Sequence, residues 1–316
     1  MATDPKIAAL EVAGVAQQVF DAPSHTGAAD YWALTKPEIN FLIAIATFAG
    51  FYLGLPSELH RFPFHRFPFM LLIHTLIGTL LVASGAATLN QYVERRFDAQ
   101  MRRTARRPLA SGRLEPSAGL WFGIVLSFAG GIYLAVVVNG LASLLAVFTL
   151  LSYLALYTPL KRKTPLCTVV GALPGAMPPL IGWAAASGTL SFEAFVLWAV
   201  LFLWQFPHFM AIAWMYREDY ARAGYLVLPQ GEQGGRLMSW QALVASLGLI
   251  PVSCSPTVIG GAGSLYFAVA IMLSLGFFYY SVRLTYQRSN AAARKLLVAS
   301  IVYLPLVLLF MVLDKR

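Results

Sequence analysis

Nine long apolar segments constrain this chain more than any other feature of its sequence. Each has at least 18 residues, which is enough for an α-helix to cross the hydrocarbon core of a bilayer. The mean hydropathy of +0.67 and the charged fraction of 12% also exclude a disordered chain and disfavour a soluble globular one. We therefore expect an all-α polytopic membrane protein, a bundle of nine transmembrane helices with the approximate ranges 38–56, 69–90, 119–138, 140–158, 168–187, 192–215, 239–258, 263–282 and 296–313.

The distribution of basic residues predicts the orientation of this bundle. With nine crossings, all but four of the 23 lysines and arginines fall on the side of the N-terminus. Cytoplasmic loops carry the excess of positive charge, so the N-terminus is predicted inside and the C-terminus outside. The formal net charge of +9 therefore reflects topology, and we predict no nucleic-acid partner.

The N-terminal tail, the loop 57–68 and the two cysteines are not assigned a role in the chemistry. Residues 1–31 match neither a signal peptide nor a transit peptide, and we read them as a mobile cytoplasmic tail before a membrane domain over 32–316. This favours a bacterial plasma (inner) membrane. The loop 57–68 holds His60 and His65 and is interpreted as an interfacial aromatic and basic loop. Cys167 and Cys254 show no metal-ligand spacing and are read as small hydrophobic residues.

A stripe of oxygen-bearing side chains follows the second apolar run. Asn90, Glu94 and Asp98 recur at every fourth residue, and each such step turns a helix by only about 40°. They are followed at once by an arginine cluster, Arg102, Arg103, Arg106 and Arg107. Carboxylate and amide oxygens suit Mg²⁺, and guanidinium groups suit phosphate. The alternative is a solvated helix end with a topological charge signal.

A second acidic pair ends the sixth apolar run. Glu218 and Asp219 lie there beside Arg217 and Arg222. Four crossings separate this pair from the stripe, so both acidic sites are predicted to open on the same side of the membrane. The spacing also suggests an internal repeat of four helices. Two such sites on one face suit a metal–diphosphate group held between them.

Two further features are ambiguous from the residues alone. The basic loop of Lys161 and Arg162 is explained by topology, and its use as a diphosphate anchor depends on its neighbours. His208 follows Pro207 inside the sixth run, and an ionisable group there usually faces the bundle interior and has a function. The alternative is a structural histidine bonded to the carbonyl that Pro207 frees, or to Gln205. The fifth run is rich in Gly and Pro, which predicts a helix that lines a cavity or packs closely.

Four motifs together resemble the haem branch of the UbiA-type intramembrane prenyltransferases. The first is Asn-x-x-x-Glu-x-x-x-Asp-x-x-Met-x-Arg-Thr-x-x-Arg-Pro, from Asn90 to Pro108. The others are Y-T-P-L-K-R-K-T-P from Tyr157, G-A-M-P-P-L-I-G-W from Gly175 to Trp183, and W-Q-F-P-H-F-M-A-I-A-W from Trp204. The resemblance extends from Tyr31 to Arg316.

The resemblance implies a reaction and a set of partners. The farnesyl group of farnesyl diphosphate is transferred to a vinyl group of haem B, water adds, and diphosphate leaves. Haem B is then a substrate and not a cofactor, and the product serves haem-copper terminal oxidases. One or two Mg²⁺ ions are the implied cofactor. The lipid bilayer is the implied environment, with haem A synthase or oxidase-assembly proteins as further candidate partners, and the site faces the cytoplasm.

The resemblance also implies roles for individual residues. One Mg²⁺ is assigned to Asn90, Glu94 and Asp98. A second is assigned to Glu218 and Asp219, and Asp219 joins the stripe as a catalytic residue. The implied diphosphate ligands are Arg103, Arg107, Lys161 and Arg162. The implied haem or substrate contacts are His208, Trp204 and Tyr157.

Three alternatives to this function remain at the level of the sequence. A prenyltransferase for an aromatic quinone or chlorophyll precursor uses the same acidic and basic residues, although His208 argues against it because a small phenol needs no iron ligand. A secondary transporter also has broken helices and a repeat, but its site lies near the bilayer midplane. A structural subunit has no need of two matched acidic sites.

Overall fold

The computed structural model describes residues 27–56, 67–229 and 231–316. The regular structure within these ranges is helical, with no β-strand. The α-helices in chain order are α1 (Ala28–Leu34), α2 (Pro37–Gly54), α3 (Phe69–Asp98), α4 (Pro116–Tyr133), α5 (Gly140–Leu151), α6 (Thr158–Leu160), α7 (Cys167–Gly175), α8 (Pro178–Ser187), α9 (Phe192–Met215), α10 (Arg217–Arg222), α11 (Glu232–Val258), α12 (Ser264–Gln287) and α13 (Asn290–Leu313).

The described residues contain nine helical segments that are long and apolar enough to cross a membrane, which confirms the predicted all-α architecture. Several helices continue beyond their apolar runs. The helix α3 runs on to Asp98, about two turns past the predicted end at residue 90, and so carries the whole acidic stripe. The predicted orientation and internal repeat stay predictions.

The first residues of the predicted tail and the loop that contains His60 and His65 lie outside the described residues. The chain becomes described at residue 27. The short helix α1 follows and is tied to the bundle by Asp30, whose Oδ1 lies 2.9 Å from Arg113 Nη2.

Two hydrophobic clusters form the interior. One joins α9, α11, α12 and α13, and the other joins α2, α3 and α8. The helices α2 and α8 cross at two glycines, because a Cβ at Gly50 would collide with the carbonyl oxygen of Pro179 and a Cβ at Gly182 with that of Thr47. Small residues at such a crossing allow the two backbones to touch.

The fifth apolar run is broken, as its Gly and Pro content predicts. It divides into α7 and α8 around Ala176 and Met177. In its most apolar window, 72% of the residues are buried, against 22–56% for the other eight membrane segments of the described chain. This segment therefore packs inside the bundle and does not face lipid along its length.

Two short π-helical segments interrupt the middle of the chain. Residues Leu134–Val138 end the third membrane segment, and Ser152–Tyr157 lie near the end of the fourth. Between these segments, Asn139 accepts a hydrogen bond from Ala142 N at 2.8 Å and forms the N-cap of α5. This cap closes the tight hairpin between the third and fourth membrane segments.

The last residues of the chain contact the far end of the first membrane helix. Lys315 Nζ donates to the carbonyl oxygens of Leu53 and Leu55, both at 2.8 Å. These carbonyls belong to the C-terminal end of α2, and a positive charge at a helix C-terminus is favourable. Lys36, by contrast, directly precedes the N-terminus of α2. The two lysines therefore mark opposite faces of the bundle.

Candidate active site

The three side chains of the predicted stripe lie on one buried face of α3. Asn90, Glu94 and Asp98 are 1%, 5% and 1% exposed, although they occupy the polar end of the helix. Burying charged groups is costly unless they are paired and hydrogen-bonded. The buried stripe therefore needs charged or hydrogen-bonding partners.

Each residue of the stripe contacts a cation from a different part of the chain. Asp98 Oδ2 lies 2.7 Å from Arg107 Nη1, and Glu94 Oε1 lies 2.8 Å from Lys161 Nζ. Asn90 Oδ1 accepts a hydrogen bond from Lys36 Nζ at 3.5 Å. The structure thus brings together the predicted residues Asn90, Glu94, Asp98, Arg107 and Lys161, and it adds Lys36.

Sequence reasoning missed Lys36 as a site residue because its charge was explained by topology. Its backbone has φ 52°, in the left-handed region, which a residue with a Cβ adopts rarely. Burial, followed by repulsion from Arg107 and Lys161, lowers the pKa of Lys36 to about 7. The available signal was a lysine placed directly before the proline that opens the first membrane helix.

The orientation of Asn90 is fixed from both ends of its amide. Its Nδ2 donates to Thr158 Oγ1 at 3.2 Å, while its Oδ1 accepts from Lys36. Thr158 in turn donates to the carbonyl of Tyr153 at 2.9 Å. The amide oxygen therefore points toward Lys36, and it is a donor of the kind that a Mg²⁺ ion accepts.

Lys161 lies at the centre of the site. Burial opposes its charge, but Tyr157 and the Glu94 carboxylate hold the pKa of Lys161 well above its ordinary value. Its Nζ lies 4.6 Å from the ring centroid of Tyr157 and 5.9 Å from that of Tyr225. Its carbonyl accepts a hydrogen bond from Leu226 N at 2.7 Å, which ties the loop after α10 to the site.

The two residues of the second acidic pair have different environments in the structure. Asp219 is buried, accepts a hydrogen bond from the backbone N–H of Arg103 at 3.2 Å, and pairs with Arg222. The side chain of Glu218 is 84% exposed and reaches only Arg217, at 4.0 Å. Neighbouring residues on a helix point about 100° apart, so only Asp219 joins the loop that follows the stripe.

The remaining predicted diphosphate ligands lie at the rim. Both Arg103 and Arg162 are exposed. The guanidinium of Arg103 lies 5.1 Å from the ring centroid of Tyr216, and that of Arg162 lies 4.4 Å from that of Phe97. Neither is paired with the stripe in the contacts of the described residues. Both cations are thus held at the mouth by aromatic rings.

His208 and Trp204 form a separate group inside the bundle. His208 lies on α9 seven residues before the helix ends at Met215, which is about 10 Å along the axis. Its Nδ1 lies 2.8 Å from Ser300 Oγ, so both partners expected for a structural histidine, the freed carbonyl and Gln205, were wrong. The rings of Trp204 and His208 stack with centroids 4.9 Å apart.

The sequence matches the model of one protein family over most of its length. The matching family is the UbiA prenyltransferase family, and the match covers residues 39–309. The chain belongs to the UbiA prenyltransferase family.

Two curated relatives of this UbiA-family chain carry the same name. The protoheme IX farnesyltransferase of Solibacter usitatus (strain Ellin6076) is 50% identical over 287 residues, which is 90% of this chain and 98% of the relative. The protoheme IX farnesyltransferase of Aquifex aeolicus (strain VF5) is 36% identical over 286 residues, covering 90% of this chain and 94% of the relative.

Solved structures of the family share its fold. A digeranylgeranylglyceryl phosphate synthase superposes with a TM-score of 0.71 at 16% identity, covering 90% of this chain and 97% of that one. A UbiA homologue from Archaeoglobus fulgidus, bound to DMAPP and Mg²⁺, superposes with a TM-score of 0.62 at 14% identity, covering 90% of this chain and 99% of that one. At these identities the comparison supports the fold alone.

The residues of this UbiA-family site fit a metal ion that arrives together with an anion. Across the described part of the chain, no three side chains of His, Cys, Asp or Glu form a group that could hold a metal ion by themselves. The stripe offers two carboxylates and one amide oxygen, the hard donors that Mg²⁺ takes alongside water and substrate phosphate. Each donor already contacts a cation. An anion such as phosphate must therefore bind those cations before the donors are free to hold a metal ion.

Proposed function

We propose that this chain transfers the farnesyl group of farnesyl diphosphate to a vinyl group of haem B. Carbon C1 of the farnesyl group bonds to the vinyl group, water supplies a hydroxyl to the adjacent carbon, and a proton and diphosphate leave. The product is haem O, used in the biogenesis of haem-copper terminal oxidases. The shared name of the relatives supports the choice of substrates.

One observation carries the chemistry: three buried oxygen ligands, each in contact with a cation from a different segment. This arrangement suits a metal ion bound to a diphosphate, because the metal carries positive charge for the oxygen ligands and the diphosphate carries negative charge for the cations. In the proposal, Asn90, Glu94 and Asp98 hold Mg²⁺, with Asp219 available to a second ion. When bound, Mg²⁺ neutralises the charge that develops on the leaving diphosphate.

The cations of the site then bind the diphosphate. Lys161, Arg107 and Lys36 exchange their contacts with the stripe for phosphate oxygens, and Arg103 and Arg162 approach from the rim. Once these groups hold the diphosphate, the protein reorganises little as the allylic C–O bond breaks. Guanidinium forks and ammonium groups need no proton transfer for this role.

Aromatic rings stabilise the carbocation that remains. Tyr157 and Tyr225 already present their rings to the ammonium of Lys161 at 4.6 and 5.9 Å, which supports a place for positive charge next to these ring faces. The same rings exclude water from the cation until the vinyl carbon has reacted. The farnesyl chain is apolar and is accommodated between membrane helices.

Haem B occupies the side of the bundle that contains His208. We assign His208 as a ligand of the porphyrin iron and Trp204 as a packing contact beside the porphyrin. His208 lies about two turns before the end of α9, and Asp219 lies just beyond that end, which suits a large acceptor that reaches from an iron ligand toward the acidic site. A small phenolic acceptor would leave this half of the arrangement unused.

We further infer that the stripe faces the cytoplasm of a bacterial plasma membrane. The excess of lysine and arginine on that face supports this orientation. Haem A synthase and oxidase-assembly proteins are the proposed partners that take up the product. Reaction of single introduced cysteines with a membrane-impermeant thiol reagent, at position 163 and at position 260, would report the orientation directly.

The activity is tested with purified protein in detergent, haem B, farnesyl diphosphate and Mg²⁺. Mass spectrometry of the extracted pigment should show a gain of one farnesyl group plus water. We expect the gain to vanish with EDTA, to return with added Mg²⁺, and to be absent in Asp98→Ala. Unmodified haem from folded protein that binds haem, together with prenylation of a phenolic acceptor, would contradict the proposal and favour a quinone-precursor prenyltransferase.

A further inference from the structure

We propose that Ser300 fixes His208 as the tautomer that carries its proton on Nδ1, so that Nε2 presents a free lone pair to an iron porphyrin. Ser300 is then a positioning residue for the acceptor substrate. The part of this inference that concerns iron rests on the proposed function, whereas the tautomer is a property of the protein alone.

The hydrogen bonds of Ser300 determine the direction of proton donation. Its Oγ lies 2.6 Å from the carbonyl oxygen of Leu297 and 2.8 Å from His208 Nδ1. A carbonyl oxygen cannot donate, so the single hydroxyl proton lies between Oγ and Leu297 O. Ser300 Oγ must therefore accept from Nδ1–H, and the neutral imidazole carries its lone pair on Nε2.

The ring of His208 is held in place by more than this one hydrogen bond. Trp204, one turn earlier on the same helix, stacks on the imidazole at 27° between planes. Its Nε1 donates to the backbone carbonyl of Ser300 at 2.9 Å. Ser300 thus receives two contacts from α9, one through its hydroxyl and one through its carbonyl. Phe209 closes a further side, with its centroid 5.7 Å from that of His208.

The other nitrogen of the ring has no hydrogen-bond partner among the described residues. No described residue forms a hydrogen bond with His208 Nε2, and the residue is half-buried rather than enclosed. Histidines that bind metals are commonly oriented by a hydrogen bond at the opposite ring nitrogen, and loss of that partner lowers metal affinity about 10- to 100-fold. The pair of His208 and Ser300 has this arrangement, with a hydroxyl as the orienting group.

A buried serine in a membrane helix has a simpler explanation, which is satisfaction of its own hydroxyl by a carbonyl one turn back. Ser246 on α11 is such a residue: it is fully buried, and its Oγ donates to Ala242 O at 2.6 Å. Ser246 therefore serves as the matched control for Ser300, because it has the same environment and no histidine partner.

The tautomer is measured first, without haem. The two ring nitrogens of each tautomer have distinct ¹⁵N shifts, and the chain has five histidines, so comparison with His208→Gln identifies the signals of His208. We expect the Nδ1–H form in the unmodified protein and in Ser246→Ala, and a mixture of tautomers in Ser300→Ala. A predominant Nε2–H form in the unmodified protein would overturn the proposal.

The consequence for iron is measured by titrating haem B into the protein in nanodiscs. The Soret band and the electron paramagnetic resonance of ferric haem report histidine ligation. We expect Ser300→Ala to weaken haem binding about tenfold or more and to broaden the ligand signature, with recovery in Ser300→Thr, which keeps the hydroxyl. Ser246→Ala should bind as the unmodified protein does.

The outcomes separate this inference from the proposed function. Loss of the ligand signature in His208→Ala but not in Ser300→Ala would overturn positioning by Ser300 and leave iron ligation intact. An unchanged signature in both variants would overturn the role of the pair toward iron, even if farnesyl transfer to haem were observed. Absence of farnesyl transfer with the tautomer as expected would count against the proposed reaction alone.

Discussion

Lys161 Nζ lies 2.8 and 3.1 Å from the two carboxylate oxygens of Glu94, so one ammonium group bridges both oxygens of a buried acid. The side chains are 12% and 6% exposed. Removing two charges from water is expensive, and a buried ion pair is therefore weak evidence of stabilisation. In the proposed function, this pair is the resting arrangement of groups that separate when metal and diphosphate bind.

Replacing Lys161 should slow catalysis without loss of the fold. We expect Lys161→Met to lower kcat about 10²- to 10³-fold, the effect of removing one fixed donor to a developing charge. The unpaired Glu94 carboxylate should also lower the apparent Tm. The matched control is Lys163→Met, an exposed lysine on the same loop, which should retain its activity. The double variant Lys161→Met/Glu94→Gln should recover Tm but not kcat, and recovery of both would contradict the catalytic role.

The two neighbouring acids of the second site should behave differently. Asp219→Asn weakens the acceptor for Arg103 N–H and the charge partner of Arg222, so we expect a loss of activity of about tenfold or more. Glu218→Gln changes an exposed side chain and should stay within about twofold of the unmodified enzyme. Farnesyl transfer measured over a range of Mg²⁺ concentrations checks both. Equal losses in the two variants would show that Glu218 also reaches the site.

The helix crossing of α2 and α8 should not tolerate a methyl group. In Gly182→Ala the new Cβ meets the carbonyl oxygen of Thr47, and relief of the overlap requires the helices to separate. We expect a destabilisation of about 1–3 kcal/mol, as for overpacking in a tight core. Gly276→Ala on α12 is the control, since a Cβ there meets nothing within 4 Å. Thermal unfolding in detergent gives the comparison, and similar Tm values for both variants would refute close contact at the crossing.

The stability of the protein should acquire a pH dependence from Lys315. Burial lowers the pKa of Lys315 from 10.5 to about 8. Between these values the unfolded chain binds more protons than the native protein, so the contribution of Lys315 to stability rises with pH. We expect Tm of the unmodified protein, relative to Lys315→Met, to increase between pH 8 and 10.5 and to be constant below that interval. A difference that is independent of pH would contradict the lowered pKa.

The local parts of this architecture were predictable from the sequence. Nine apolar runs predict the nine membrane-crossing segments of the described residues, because each span is one continuous stretch of chain. The spacing of Asn90, Glu94 and Asp98 places them on one face because helical periodicity is a local property. Both predictions depend on residues that lie close together along the chain.

The partners of these residues were less predictable, because they come from distant segments. Lys36 meets Asn90 across 54 residues, and His208 meets Ser300 across 92. Ser300 stands out as a hydroxyl inside the apolar run of α13, but the sequence of that run does not indicate its hydrogen-bond partner. The choice between Glu218 and Asp219 depended on the rotation of α10 at its start, which a pattern of adjacent acids does not specify.

The π-helical turn at Ser152–Tyr157 allows the chain to vary in length without moving the site. A π-turn accommodates one residue more than an α-helix does over the same rise. Deleting a single residue there would return the turn to regular α-helix and keep Lys161 beside Glu94. The same deletion within α5 would rotate the following segment by about 100° and carry Lys161 away. Homologues aligned by their apolar runs alone can therefore agree in every helix and still be out of register at the lysine.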